Sequence, residues 1–331
     1  MNEQIFRDYL SSRNLDQLEI DQQVETLLTL DALLKHKTPP LNLEDLNTAL
    51  VQSFVNELID LGQNTLENFL VMLRYAKATG NQDLFKALFE MLDGCEAMEN
   101  FSIKLGEYVG EELRDIIFEG LALPPLGLSR REKARYTYRV MRRMEEIFEE
   151  GVCREVLGEC LRDLPDSLYA QEKADFFNSC DGDVDRFLES RHEKFIERLR
   201  HHQESGELFF GQEITDEVVE FVKRNPEIGG GIRKGDVIYE TRIPFNTKAY
   251  LEETDPESKR YHYCHCPWVR ESLRSPALSI SATFCQCSAG FHKRTYEEIY
   301  GQKLQAEVLQ SILMGDLKCR FAIHLPVSNA D

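Results

Sequence analysis

The residues best equipped for chemistry are five cysteines in the C-terminal part of the chain. Cys264, Cys266, Cys285, Cys287 and Cys319 follow the spacing C-x-C-x18-C-x-C-x31-C. Thiolates are strong, soft ligands, and four of them, or three with a histidine or carboxylate, complete a tetrahedral zinc site. Four gathered cysteines also suit an iron–sulfur cluster, and a neighbouring pair can oxidise reversibly. The plain alternative is a set of small apolar fillers, a description that fits Cys319 beside Phe321 and Ile323. Cys95, Cys153, Cys160 and Cys180 are scattered through helical-looking sequence and read as packing residues. His262, His265 and His292 surround the cluster as candidate ligands or proton carriers, and His265, between two candidate ligands, is the best placed. Cys287 is the candidate nucleophile, with His265 or His292 moving the proton.

The elements that position these residues follow from local pattern. Pro267 suits the first turn of a helix through Val269 and Leu273, and Ser288 suits the cap of a helix from Ala289 to Gly301. Both C-x-C pairs would then stand at helix N-termini, where the dipole favours thiolate. Trp268, the only tryptophan, reads as core, with lining a pocket as its second reading. Phe291, Tyr296, Ile299 and Tyr300 give the second helix an apolar face for a small-molecule pocket. The segments LQAEVLQSIL and LKCRFAIHL, flanking Met314-Gly315-Asp316, predict a β-hairpin, and residues 236–243 alternate like another strand. In the second hairpin strand Cys319, Phe321, Ile323 and Leu325 share one face. Thr215 is placed to cap a helix, and the glycines at 229–231 lack a phosphate-loop context and read as a flexible joint.

Upstream the pattern is helical throughout. Apolar residues recur at helical spacing over 42–61, 64–78 and 81–92, and Pro124-Pro125 marks the clearest internal break. Ser129 then precedes a long charged helix to about residue 150, whose acidic run Glu145, Glu146, Glu149 and Glu150 reads as a solvated face. The expected fold class is α+β: an all-helical domain over residues 1–205, followed by a small α+β, cysteine-rich domain over 206–331 that carries an antiparallel hairpin.

Net charge excludes several functions. With 39 Lys+Arg against 58 Asp+Glu the chain carries −19, which disfavours nucleic acid and anionic membrane as partners. No apolar run spans a bilayer, and the first residues lack a secretory pattern, so the expected compartment is the cytoplasm, where thiols stay reduced. The pattern leaves the oligomeric state open, a homodimer included.

The segment TFCQCSAGFHKRTYEEIYGQKLQAEVLQSILMGDLKCRFAIHLP resembles the C-terminal half of the 4-vinyl reductase-type ligand-binding domain. It resembles the L-2-amino-thiazoline-4-carboxylic acid hydrolase-like family more closely still. The matching features are Cys285 ending a strand, the Gly290-Phe291 pair, Gly301 closing the helix, Glu307 in the hairpin, and Cys319 opening its second strand. The resemblance implies a zinc held by Cys285 and Cys319, with Glu307 and a further hairpin cysteine. This chain has Gln310 and Ser311 where that cysteine is expected, so either Cys287 or the Cys264/Cys266 pair supplies the missing ligand, or the site is not zinc. Three functions compete: a zinc-bearing module that binds a small organic molecule, a hydrolase of a small cyclic amidine or amide-like substrate using a thiolate or metal-bound water, and a thiol redox sensor.

Overall fold

Capping side chains set the boundaries of the N-terminal helices. The computed structural model describes all residues except 160, 163, 164 and 327–331, so Cys160 lies outside the described residues. Helix α1 (Glu3–Ser11) begins where Asn2 accepts from Ile5 N at 3.2 Å. Helix α2 (Gln17–Lys35) begins with a reciprocal capping box between Asp16 and Glu19. The helical spacing over 42–61 is divided in two. Asn47 accepts from the amides of Ala49 and Leu50 and restarts the chain as α3 (Thr48–Asp60), after a 3₁₀ turn at Leu43–Asp45. Helix α4 (Leu66–Thr79) and α5 (Gln82–Leu92) follow, capped by Thr65 and Asn81. Their buried stripes, including Phe6, Leu27, Phe54, Phe69, Tyr75 and Leu88, form one core. With residues 124–132 they make the first of two compact units, residues 1–95 and 124–132.

The second unit comprises residues 96–123 and 133–331. Its helices are α6 (Ala97–Val109), α7 (Glu111–Phe118), α8 (Arg130–Ile147, which enters the unit at residue 133), α9 (Glu150–Leu157), α10 (Asp166–Ala174), α11 (Val184–Ser205) and α12 (Asp216–Lys223). Helix α8 starts as its sequence reads, with Ser129 Oγ accepting from Glu132 N and donating to the Glu132 carboxylate. The acidic run is a solvated face: Glu146 pairs with Arg142 and Glu150 with Arg154 across exposed i,i+4 spacings.

A four-stranded antiparallel sheet completes the α+β fold. Strands β1 (Ile232–Lys234), β2 (Val237–Thr241), β3 (Gln305–Gln310) and β4 (Arg320–His324) lie in the order β1-β2-β4-β3. The expected hairpin is β3 with β4, in register from Gln305↔His324 to Gln310↔Arg320 with an irregularity at Leu309. Helices α13 (Thr247–Glu252) and α14 (Pro256–Tyr263) follow β2, and α15 (Gln286–Tyr300) leads into β3. Ile238 and Ile323 from the sheet share a core with Tyr296 and Ile299 of α15 and with Phe187 and Leu188 of α11.

The three glycines are no joint. A Cβ at Gly229 would stand 2.4 Å from the Phe195 ring, and one at Gly230 would stand 2.6 Å from Leu188 O. Their missing side chains let the backbone press onto α11, where His192 Nδ1 meets Ile228 O at 2.9 Å and Arg191 donates to Gly230 O. Among the described residues, no helix is long and apolar enough to cross a membrane.

Candidate functional site

The five clustered cysteines come from three separate segments. Helix α14 starts at an Asp255 cap with Pro256 in its first turn and ends in extended backbone at Cys264. Beyond it Pro267 does not start an α-helix. Cys266 O accepts from Val269 N and Arg270 N, and a 3₁₀ turn over Arg270–Arg274 follows. Pro276 holds Ser275 extended (φ −135°, ψ 91°) and leaves no room for further helix. The second helix is longer than its spacing suggests. Ser281 caps a 3₁₀ turn at Ala282–Cys285 that runs directly into α15, so Cys285 stands at the helix entrance, Cys287 in its first turn and Ser288 inside it. Cys319 immediately precedes β4.

Folding brings these thiols within electrostatic reach of one another. Cys264 senses Cys285; Cys266 senses Cys264, Cys287 and Cys285; Cys319 couples to both Cys285 and Cys264. Cys264, Cys266, Cys287 and Cys319 pack with Trp268 and Phe284, and with Phe101, Met141 and Leu157, in one core. Burial dominates the acidity of Cys264, Cys266, Cys285 and Cys319. It pushes the Cys264 thiol up to about 11 and those of Cys285 and Cys319 up to about 12. Burial likewise holds Cys266 well above the usual thiol range. The expected lowering by helix N-termini is therefore overturned at three positions: no α-helix follows Cys264 and Cys266, and at Cys285, the entrance of α15, desolvation prevails. Ser311, fully buried and near the place of the further hairpin cysteine implied by the resemblance, hydrogen-bonds to the Cys285 side chain.

By type, these donors suit zinc: several soft thiols, few competing oxygens. Among the described residues, no three or more His, Cys, Asp or Glu side chains already stand as a ready metal site. The structure does not bring Glu307 to the thiols. Strict alternation along β3 puts it on the exposed face, where it pairs with His324 Nε2 at 2.8 Å. Trp268 is 2% exposed and packed beside Tyr136, with the Lys133 ammonium 5.4 Å over its ring.

The histidines are held elsewhere. His265 Nε2 donates to Ile243 O at 2.5 Å, and burial drives the ring's pKa well below its ordinary value. His262 is lowered too, first by burial and then by Arg274. His292 belongs to a buried network absent from the sequence reading. Its Nδ1 meets Glu240 Oε2 at 2.5 Å, while Glu240 Oε1 accepts from Tyr296 Oη at 2.6 Å and from Arg191 at 3.0 Å. Burial alone would raise the Glu240 carboxyl, but Arg191, His292 and Tyr296 prevail and hold it at about 2. Burial lowers the His292 pKa against the pull of Glu240, so the ring is neutral with Nδ1–H directed at the carboxylate. The ring stacks on Phe321 at 4.5 Å, and its Nε2 has no hydrogen-bond partner among the described residues.

A cavity of about 420 Å³ opens beside the thiols, on the other side of the sheet from α15. Its walls include Phe221, Arg224, Glu227, Thr241, Arg242, Tyr250, Tyr263, Lys318 and Arg320. Two of these residues adjoin cluster cysteines in the chain: Tyr263 precedes Cys264, and Lys318 precedes Cys319. Tyr263 Oη donates to Arg242 O at 2.6 Å, tying the cavity wall to the end of β2. Of the expected pocket residues, Phe291 touches this region through Arg242, whose guanidinium lies 5.2 Å over its ring. Tyr296 is engaged by Glu240 and Trp268 by the core.

Comparison with known proteins gives one finding. Residues 248–329, from α13 through β4 and including all five clustered cysteines, match the profile of a family of unknown function (DUF6144). No curated protein and no solved structure matches the chain. The chain is thus similar, over this C-terminal segment, to a family whose shared part contains the whole thiol cluster.

Proposed function

We propose that the C-terminal part of this chain is a small-molecule-binding module of a cytoplasmic protein, with zinc held by its thiol cluster. The observation that carries this reading is the convergence of five cysteines, from three segments of one short stretch, into one neighbourhood, with Cys264 buried and the other four half-buried. Reduced thiols in that number suit a reducing compartment. Cys264, Cys266, Cys285, Cys287 and Cys319 are the donors from which the ligand set is drawn, and Glu307 is left out of it. A structural zinc would take these thiols as thiolates, displacing their protons, and join α14, α15 and β4. The adjoining cavity supplies the small-molecule half of the reading.

Elemental analysis tests the metal half, on protein purified without chelator and without a metal-binding tag. The expected result is one zinc per chain, lost on Cys285→Ser or Cys319→Ser. Stripping the metal should change Trp268 emission and loosen the core that the thiols share with α6, α8 and α9, at a cost on the order of 10 kcal/mol. The N-terminal helices, which have their own core, should keep their far-UV signal. A metal-free preparation whose five thiols all titrate freely in the native state refutes zinc. Iron with matching sulfide would replace it by a cluster, and a mass difference of two hydrogen atoms between oxidised and reduced forms would favour the redox sensor.

A further inference from the structure

We propose that the cavity beside the thiol cluster binds a small organic anion, a carboxylate or phosphate carried on a flat, apolar body. The inference deepens the small-molecule half of the proposed function and does not depend on the zinc. It rests on a local reversal of charge. The chain as a whole carries −19, yet Arg224, Arg242, Lys318 and Arg320 line this one cavity against a single carboxylate, Glu227.

That carboxylate is already engaged. Arg320 grips Glu227 through Nε and Nη2, at 2.6 to 3.1 Å, and Thr241 Oγ1 donates to it at 2.8 Å. Burial opposes ionisation of Glu227, but these bonds hold its carboxyl below the usual range, so it stays charged and saturated. Arg320 also lies 4.6 Å over the Tyr239 ring, which fixes its plane. The other inner cations, Arg242 and Lys318, are half-buried, and among the described residues neither has a carboxylate within ion-pair distance. Arg242 is nevertheless held in place by the Phe291 ring beneath it. Arg242, held in place and without a carboxylate in ion-pair distance among the described residues, together with Lys318, whose nearest counter-charge Glu227 is already gripped by Arg320, makes the cavity an anion site.

Shape sets the rest of the ligand. Phe221, Tyr250 and Tyr263 supply aromatic walls, and a volume of about 420 Å³ admits a ring-sized molecule and not a macromolecule. The exposed Arg224 at the rim adds long-range attraction for an anion approaching an otherwise repelling surface.

Calorimetric titration of the full chain, as purified, with benzoate, phenyl phosphate and neutral benzamide tests the proposal. One anion should bind per chain at least about tenfold more tightly than benzamide, with affinity falling as salt is added. Arg242→Gln should weaken anion binding by about tenfold or more, and Lys318→Gln should do so independently, which guards against a folding defect in the first variant. A stronger response to phenyl phosphate assigns a phosphate ligand, and a stronger response to benzoate a carboxylate. Equal affinity for benzoate and benzamide overturns the anion inference while the small-molecule reading stands. Anion binding unchanged in both variants, or no binding of any probe, overturns the assignment of this cavity. Zinc content, measured separately, decides the metal half alone.

Discussion

Helix α15 should be intolerant of a single methyl group at Gly290. In a helix interior, alanine is ordinarily better than glycine by about 1 kcal/mol, so Gly290→Ala should stabilise if propensity governed. The structure reverses that sign. A Cβ at Gly290 would lie 2.4 Å from Gly158 O and 2.8 Å from both Glu159 O and Gly158 C, all backbone atoms at the end of α9. Reaching van der Waals distance requires α15 and that turn to separate by about 1 Å. A contact this short with backbone atoms falls in the upper part of the roughly 1–3 kcal/mol that overpacking costs, leaving a net loss on the order of 1–2 kcal/mol after the propensity gain. Gly151 provides the control, because it lies in α9 with nothing within 4 Å of its added Cβ. Gly151→Ala should gain a few tenths to about 1 kcal/mol. Urea unfolding followed through Trp268, which lies in the same unit, reads both variants. Because Cys287 rides on α15 and Cys285 stands at its entrance, Gly290→Ala should also weaken zinc retention. A Gly290→Ala protein as stable as the parent, alongside a stabilised Gly151→Ala, would refute the close approach of α15 to α9.

Two further predictions concern the Glu240 network. Stability should fall on acidification. The folded carboxyl of Glu240 sits at about 2 against an ordinary 4.5, so its contribution, on the order of 3 kcal/mol, is complete above 4.5 and lost as pH falls towards 2. His292, neutral in the fold among Glu240, Arg191 and Arg242, adds a loss beginning as pH falls through 6.5, because the unfolded ring takes up the proton first. A urea midpoint that stays constant from neutral pH to about 4 would contradict the His292 loss, and one that stays constant from there towards 2 would contradict the Glu240 loss. Separately, Glu240→Gln leaves the half-buried Arg191 with only Glu172 as counter-charge and should cost about 3 kcal/mol, with part regained in the Arg191→Met, Glu240→Gln double variant. Additive losses in the double variant would show that the two side chains are not coupled.

What could be read in the sequence was local. Ser129 with Glu132, the alternation around Met314-Gly315-Asp316 and Gly301 at the end of α15 all act within a few residues, and all appear where their spacing places them. The start of α15 was harder, because Ser281 organises a turn that feeds the helix and makes Ser288 redundant as a cap. Glu240 did carry a signal: it shares strand parity with Ile238 and so points inward, where an unpaired carboxylate would be untenable. Its partners, Arg191, His292 and Tyr296, lie far away in the chain and no spacing links them. The same parity on β3 places Glu307 outward, against the resemblance. Thiol acidity could not be read from position in the chain, since burial decides it. The cationic cavity draws on distant stretches of chain and leaves no contiguous motif.

The strand order has a consequence for assembly during synthesis. Strand β4 lies between β2 and β3 although it is made after both. As the chain emerges from a ribosome, β2 and β3 must wait with open edges until residues 320–324 arrive and pair with each in turn. Cys319 arrives in the same stroke, as do Lys318 and Arg320 of the cavity wall. Sheet closure, completion of the thiol cluster and formation of the cationic cavity are thus a single late event. A nascent chain halted before β4 would expose two unpaired strand edges and an incomplete set of reactive thiols, a state suited to early capture by chaperones or proteases.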